Sequence, residues 1–181
     1  MKGIRFSLWR AAAVLVALVV LCGFVACKEP DSEDLIFENV AELSKSDGIV
    51  GKWEDDYPNW QTYETYDCQI SVGKVETCSY GRHEGSVYIA KLSQTSGYVY
   101  YQLKSDVTGY DDNGKEYEIH CAEKWSAVFY KGLTSNSVKM CDAFNRSSPY
   151  DFPDSLEKCV HKYTIENGYF ENPVTFKKVE D

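Results

Sequence analysis

The sequence predicts an all-β domain, an antiparallel up-and-down barrel of about eight to ten strands, and three observations carry that expectation. From Ile49 onward the chain is rich in Tyr, Val, Thr and Phe and holds only four Leu, the composition of a pleated, half-buried surface. Several runs alternate with a period of two. Val99, Tyr101 and Leu103 alternate with Tyr98, Tyr100 and Gln102, Ala127 and Phe129 with Ser126, Val128 and Tyr130, and Val138 and Met140 with Lys139 and Cys141, which is the spacing that sends side chains to opposite faces of a strand. Turn-forming residues separate the runs: Asn113-Gly114 and Asn167-Gly168 read as hairpins, and Gly81 to Gly85, Ser96-Gly97 and Thr134 to Ser137 as further turns.

The first element precedes this domain. Residues 1–10 carry Lys2, Arg5 and Arg10 and no acid, and Ala11 to Ala26 is an uncharged apolar run of 16 residues. A membrane-spanning helix needs about 20, so a basic start followed by a shorter apolar run reads as a cleavable signal peptide over residues 1–26. The run ends Phe24-Val25-Ala26-Cys27, which resembles the lipobox of bacterial lipoproteins, in the relaxed form of spirochaetes where Leu need not stand at the position of Phe24. The resemblance implies that Cys27 takes a diacylglyceryl group on its sulfur and becomes the acylated N-terminus of an envelope protein held at the membrane by lipid. Each buried CH₂ of such chains contributes about 0.8 kcal/mol to anchoring. Lys28 follows Cys27 in place of the Asp that retains many lipoproteins at the inner membrane, so outer-membrane placement is expected.

Residues 27–48 form the second element, a lipidated terminus and acidic tether. Residues 28–48 hold seven acids and two lysines. Leu35, Ile36, Val40 and Leu43 recur near helical spacing and Ser32 suits an N-cap, so a short helix from Glu33 to Ser46 is expected, with a floppy linker as the alternative. Removing residues 1–26 leaves 155 residues, with 16 basic against 28 acidic and a formal charge of −12. That length suits one domain, and that charge repels nucleic acid, whose binding needs a basic footprint.

The barrel domain spans 49–181. Its strands are expected at 49–57, 62–72, 75–80, 86–92, 97–105, 116–121, 125–131, 137–144, 158–166 and 170–179. Ser147 to Pro153 reads as a loop, because each Pro removes a donor and fixes its own torsion, and Asp154 to Lys158 as one helical turn. Closure of the barrel would remove exposed strand edges.

Besides Cys27, the mature part holds Cys68, Cys78, Cys121, Cys141 and Cys159. An exported chain permits disulfides, five thiols leave at least one unpaired, and the spacing does not select a pairing. Cys159 and His161 at i, i+2 would share one face of a strand, and His120 adjoins Cys121, but there is no CxxC pair, and no metal is expected. Asp111-Asp112-Asn113-Gly114 resembles part of a calcium loop. Aligned on the glycine, however, its first and last ligand positions fall on Gly109 and His120, so it reads as an acidic turn. His83, His120 and His161 are scattered, no nucleophile motif is present, and neither an enzyme nor a cofactor is expected.

Gly51-Lys52-Trp53 opens the first strand as the Gly-x-Trp motif does in lipocalins, and Trp125 to Lys139 resembles a hairpin in small lipocalin-like lipoproteins of treponemes. No Arg follows Gly168 to serve as the closing Arg of lipocalins; only lysines do. The resemblance implies a calycin-like barrel, with Trp53 plugging one end and an interior that either holds a small hydrophobic ligand or is filled.

Two aromatic groups stand out, Tyr57, Trp60, Tyr63 and Tyr66 around the first hairpin, and Tyr98, Tyr100, Tyr101 and Tyr110 farther on. The Val99–Tyr101–Leu103 face is the more apolar and is assigned to the interior, while periodicity leaves open which face of 126–130 looks in. Trp53, Tyr101 and Phe129 are the candidate ligand-contacting residues. If Tyr101 and Phe129 both point inward, they fill the interior. The expected function is a non-enzymatic binding or surface role in the envelope, with a small-ligand carrier as the alternative. Its partners would be the membrane, through the lipid, and a hydrophobic ligand or an envelope or host protein.

Overall fold

A computed structural model describes residues 39–55, 67–77, 80–110, 113–145, 147–148 and 150–180. The export signal, Cys27, Cys78, the tether up to residue 38 and the group Tyr57, Trp60, Tyr63 and Tyr66 lie outside the described residues.

Among the described residues, twelve strands and one helix follow one another: β1 (Val40–Glu42), β2 (Gly51–Asp55), β3 (Asp67–Ser71), β4 (Lys74–Thr77), β5 (Gly81–Glu84), β6 (Val87–Lys91), β7 (Gly97–Gln102), β8 (Val107–Tyr110), β9 (Glu116–Ile119), β10 (Trp125–Lys131), β11 (Ser137–Asp142), α1 (Leu156–Lys162) and β12 (Val174–Lys178). Ten strands form one antiparallel sheet in the order β1-β6-β7-β10-β11-β12-β2-β3-β4-β5, and β8 and β9 form a separate hairpin. From β2 the sheet runs outward through β3, β4 and β5 in chain order. In the other direction it runs through β12, the last strand of the chain, which pairs with the domain's first long strand at Lys178↔Trp53.

This is the meander that the alternation and turns predict, but its ladder does not close. Closure would require β5 to pair with β6. The free side of β6 is taken instead by β1, with Val40 opposite Ala90 and Glu42 opposite Tyr88. Residues 40–42, expected in a helix, are therefore strand: the free edge of β6 offers ladder partners to an extended segment, whereas an isolated short helix gains little. Leu43 then turns inward, 4% exposed, with its N–H donating to the Val87 carbonyl at 2.8 Å. The second edge, β5, carries Arg82 and Glu84, exposed and paired with each other, which blunts it against further pairing.

The sheet curls so that one face encloses the larger core. Trp53, Ile70, Val75, Val99, Tyr101, Leu103, Val128, Tyr130, Val138 and Met140 all belong to it and all are 2% exposed or less. His83 of edge strand β5 stacks on Tyr101 of β7 at 5.9 Å between rings, and its Nδ1 accepts the Lys104 N–H at 3.0 Å, so β5 lies against the far half of the same sheet without a ladder to it. Gly97 opens β7 because a Cβ there would stand 2.3 Å from the Ala90 carbonyl oxygen.

A second, smaller core covers the opposite face of β7 and β10. Tyr98, Tyr100, Ala127 and Phe129 pack there against Cys159, Val160 and Tyr163 of α1 and its end, and against Phe170. This corrects the expected strand at 158–166. Leu156, Cys159, Val160 and Tyr163 recur at helical spacing, Ser155 caps the start by accepting the Lys158 N–H at 3.2 Å, Glu157 sits in the first turn, and His161 and Lys162 sit in the last. Asn167-Gly168 is likewise not a hairpin. The Asn167 amide donates to the carbonyls of His161 and Lys162, both at 3.1 Å, satisfying the end of α1. Of the expected strand 170–179, residues 174–178 are strand, and Phe170 is drawn into the second core. Gly81 to Gly85, expected as a turn, contains β5. The Asn113-Gly114 hairpin does form, between β8 and β9, with Gly114 at φ +75.

Candidate functional site

Period two places more than the core on the inner face. In β2 the residue two beyond Trp53 is Asp55, in β11 the residue two beyond Met140 is Asp142, and in β4 the residue two beyond Val75 is Thr77. These three stand at strand ends, where the inner face meets the outside. They line a cavity of about 380 Å³. Its remaining walls are largely apolar: Cys68, Val128 and Met140 from the core side, then Phe144, Val174 and Phe176 toward the rim. Phe144 and Val174 are 45% and 40% exposed, large apolar side chains at an opening rather than under a cover.

Below the cavity, polar groups are unevenly satisfied. The Tyr80 hydroxyl donates to the Ala143 carbonyl at 3.0 Å, and the Tyr80 N–H donates to the Thr77 hydroxyl at 3.2 Å. The fully buried Tyr101 hydroxyl lies against the hydroxyls of Thr77 and Ser126 but forms no hydrogen bond of good geometry, and the Ser126 hydroxyl has none either. Burial first, and the nearby Asp142 carboxylate second, push the Tyr101 phenol well above its ordinary value; the same two causes raise Tyr80. Asp142 therefore makes itself felt inside the curl of the sheet.

The expected site residues are placed differently from one another. Trp53 is wholly buried on the inner face, with its indole N–H donating to the Ile49 carbonyl at 2.9 Å. Tyr101 is in the same core, one wall away from the cavity through Thr77. Phe129 is not: it points to the other face, with its ring 5.5 Å from Tyr98 and 5.6 Å from Phe170. Tyr101 and Phe129 thus do not fill one interior together, because residues of opposite parity on β7 and β10 stand on opposite faces of the sheet. Asp55, Thr77 and Asp142 were not singled out from the sequence. The signal that could have found them was the same alternation, continued one step past the last apolar residue.

Chemistry elsewhere is muted. Among the described residues, Cys121, Cys141 and Cys159 are free thiols. Burial holds Cys121 and Cys159 above the usual thiol value and pushes Cys141 up to about 12, so these three are neither thiolate nucleophiles nor ready metal ligands. Cys159 and His161 stand on a helix, where i and i+2 point apart, so the face they would have shared on a strand does not exist. One trio, Asp106, Glu118 and His120, brings metal-ligating atoms within 4.8 Å of one another on the surface. Asp106 is already engaged there: one oxygen accepts the N–H groups of Cys121 and Ala122 at 2.8 and 2.7 Å, and the other meets His120 Nδ1 at 3.0 Å. The trio reads as a clasp at the base of the β8–β9 hairpin, with His120 raised by Asp106 first and Glu118 after it.

No protein-family model, curated protein or solved structure matches this chain. The functional argument accordingly stands on the cavity and on the sequence.

Proposed function

We propose that this protein is a lipid-anchored lipoprotein of the bacterial cell envelope whose β domain has a non-enzymatic role, holding a small, largely apolar ligand at the mouth of its curled sheet. The observation that carries the ligand is the cavity of about 380 Å³ at the strand ends, within the size range of small-molecule sites, with apolar walls and a few convergent polar groups. The anchor is supported by the basic start, the 16-residue apolar run and Ala26-Cys27. On this reading the domain is a lipocalin-like relative of the treponeme lipoproteins, with Trp53 supporting the base of the inner core and Tyr101 the wall beside the cavity. Cys27 is the acylated residue, and outer-membrane placement follows from Lys28. A surface or structural role without ligand is the second reading, favoured by the dense packing of Tyr98, Tyr100 and Tyr101, each 1% exposed or less.

Native mass spectrometry of the protein purified from its own host separates the two. A retained small molecule supports the carrier. A ligand-free protein, with the cavity empty under conditions that keep the fold, favours the structural role. For the anchor, Cys27→Ser should abolish incorporation of labelled palmitate and leave the precursor uncut; palmitate incorporated into that variant would remove the basis for lipidation at Cys27.

A further inference from the structure

The curled sheet has a seam where β5 and β6 do not pair, and one side chain fastens β5 across it. Of the four residues of β5, Arg82 and Glu84 are exposed and Gly81 has no side chain, so His83, 2% exposed, is the strand's inward side chain. Its ring lies on Tyr101 of β7 at 5.9 Å, its Nδ1 accepts the Lys104 N–H at 3.0 Å, and its Nε2–H donates to the Tyr80 carbonyl at 2.5 Å. Both ring nitrogens are committed, and only the neutral ring fits, because an imidazolium has no acceptor to offer Lys104. Among the described residues β5 forms a ladder only with β4, over Gly81 to Glu84. Gly81 and Gly85 bracket the strand at φ +73 and +150, and the wide torsional freedom of glycine gives β5 a pivot at each end.

We propose that His83 is a pH-sensitive latch on this seam: neutral, it fastens β5 to the chain leaving β7; protonated, it releases β5 and uncovers Tyr101 and the inner core behind it. A proton on Nδ1 would point at the Lys104 N–H, setting two donors face to face and leaving that amide without its acceptor. The described groups that face the ring do not compensate the charge. Opposite His83 on β4 stands Val75. Tyr101 of β7 and Tyr80 stay neutral phenols, raised above their ordinary values by burial first and by Asp142 second. Lys104, whose ammonium pairs with Glu123 at 3.6 Å, brings positive charge to the same seam, and Arg82 and Glu84 pair with each other on the exposed side of β5. Burial accordingly lowers the pKa of His83 against the weaker pull of the Tyr80 carbonyl. A His lowered in the closed form favours closure above its open-state value of about 6.5 and loses that contribution as pH falls, so the opening equilibrium rises by up to about tenfold between pH 7.5 and 5.5. Buried histidines bias two-state elements in this way across the same pH range. Only β5 need move, since β7 is held by β6 on one side and β10 on the other.

The test uses the whole mature chain from residue 27, as Cys27→Ser so that no lipid is attached, labelled for nuclear magnetic resonance. Amide hydrogen exchange at pH 7.5 and 5.5, corrected for intrinsic rates, reads the opening of individual sites. The Lys104 amide should be less protected than the amides of the β7–β10 ladder at both pH values, and its protection should fall about threefold or more between pH 7.5 and 5.5. The carbon shifts of the His83 ring should titrate with a midpoint below about 6.5. His83→Gln offers an amide oxygen and an amide N–H in place of the two ring nitrogens but does not titrate in this range, and should hold the change at Lys104 below threefold. Folding of the variant is checked by its far-ultraviolet spectrum; should it fail to fold, the exchange and the ring titration of the parent still decide. Lys104 protection equal to that of the ladder amides would mean that the seam opens only when the domain unfolds, and would overturn the latch. So would a fall of less than threefold in the parent, a ring midpoint at or above 6.5, or a threefold fall retained in folded His83→Gln.

Discussion

Trp53→Ala probes the centre of the fold. Trp53 is completely buried on β2, between the pairing to β12 and the pairing to β3. Its truncation opens a cavity of nearly a whole indole in the larger core, and removals of buried Phe or Trp side chains cost about 3–5 kcal/mol. The Ile49 carbonyl also loses its donor from the indole N–H, adding about 1 kcal/mol. The Lys178 ammonium, 5.3 Å from the ring centroid, contributes about 0.5 kcal/mol more at an exposed site. The expected loss is therefore about 5 kcal/mol, comparable with the whole stability of many domains at about 5–15 kcal/mol. Trp53→Phe keeps most of the packing and loses the hydrogen bond, so it should cost about 2 kcal/mol, in the range of a partial core truncation plus one unsatisfied carbonyl. Urea unfolding followed by circular dichroism near 218 nm measures both variants. A loss below about 1 kcal/mol for Trp53→Ala, or a Phe variant no more stable than the Ala variant, would refute the placement of the indole as the central filler of the inner core.

Two further outcomes follow from the edges of the sheet. His83 accepts the Lys104 N–H on Nδ1, so Nε2 carries the proton and donates to the Tyr80 carbonyl at 2.5 Å, fixing a neutral ring; burial lowers its pKa against a weaker opposing effect of that carbonyl. A lowered folded value means that its contribution is fully present above the unfolded pKa of about 6.5 and is lost as pH falls through the folded value. His83→Leu should thus be less stable at pH 7.5 by about 1–3 kcal/mol, from the orphaned Lys104 N–H, yet lose less stability than the parent between pH 7.5 and 5.5; equal slopes in urea titrations would show that His83 does not titrate in this way. A chain shortened to begin at Ile49 loses β1, the buried Leu43 and the Asp47–Lys91 ion pair at 2.6 Å. It should be less stable than one beginning at Asn39 by about 2–4 kcal/mol, mostly from burial of Leu43 and the lost ladder, and should self-associate on size exclusion through the bared edge of β6. Equal stability and a monomeric profile would contradict the role given to β1.

Alternation along β7, β10 and β11 and the turns at Ser96-Gly97, Asn113-Gly114 and Thr134 to Ser137 were enough to establish an antiparallel meander and to put Val99, Tyr101 and Leu103 in the main core, because strand parity is a property of the local chain. Tertiary structure decided where parity could not. Residues 40–42 became strand because β6 had a free edge to offer, and that pairing left the ring open between β5 and β6. Residues 156–162 became helix because the far face of Tyr98, Tyr100 and Phe129 needed an apolar cover, and four residues at helical spacing supplied it. Phe129 went to that covered face for the same reason, since a sheet buried on both sides hides apolar residues of either parity, and alternation alone then cannot say which side is the interior. The cavity is of the same kind: Asp55, Thr77 and Asp142 are dispersed along the sequence as ordinary polar strand ends, and only the curl that carries β2, β4 and β11 around one core brings them to a common mouth.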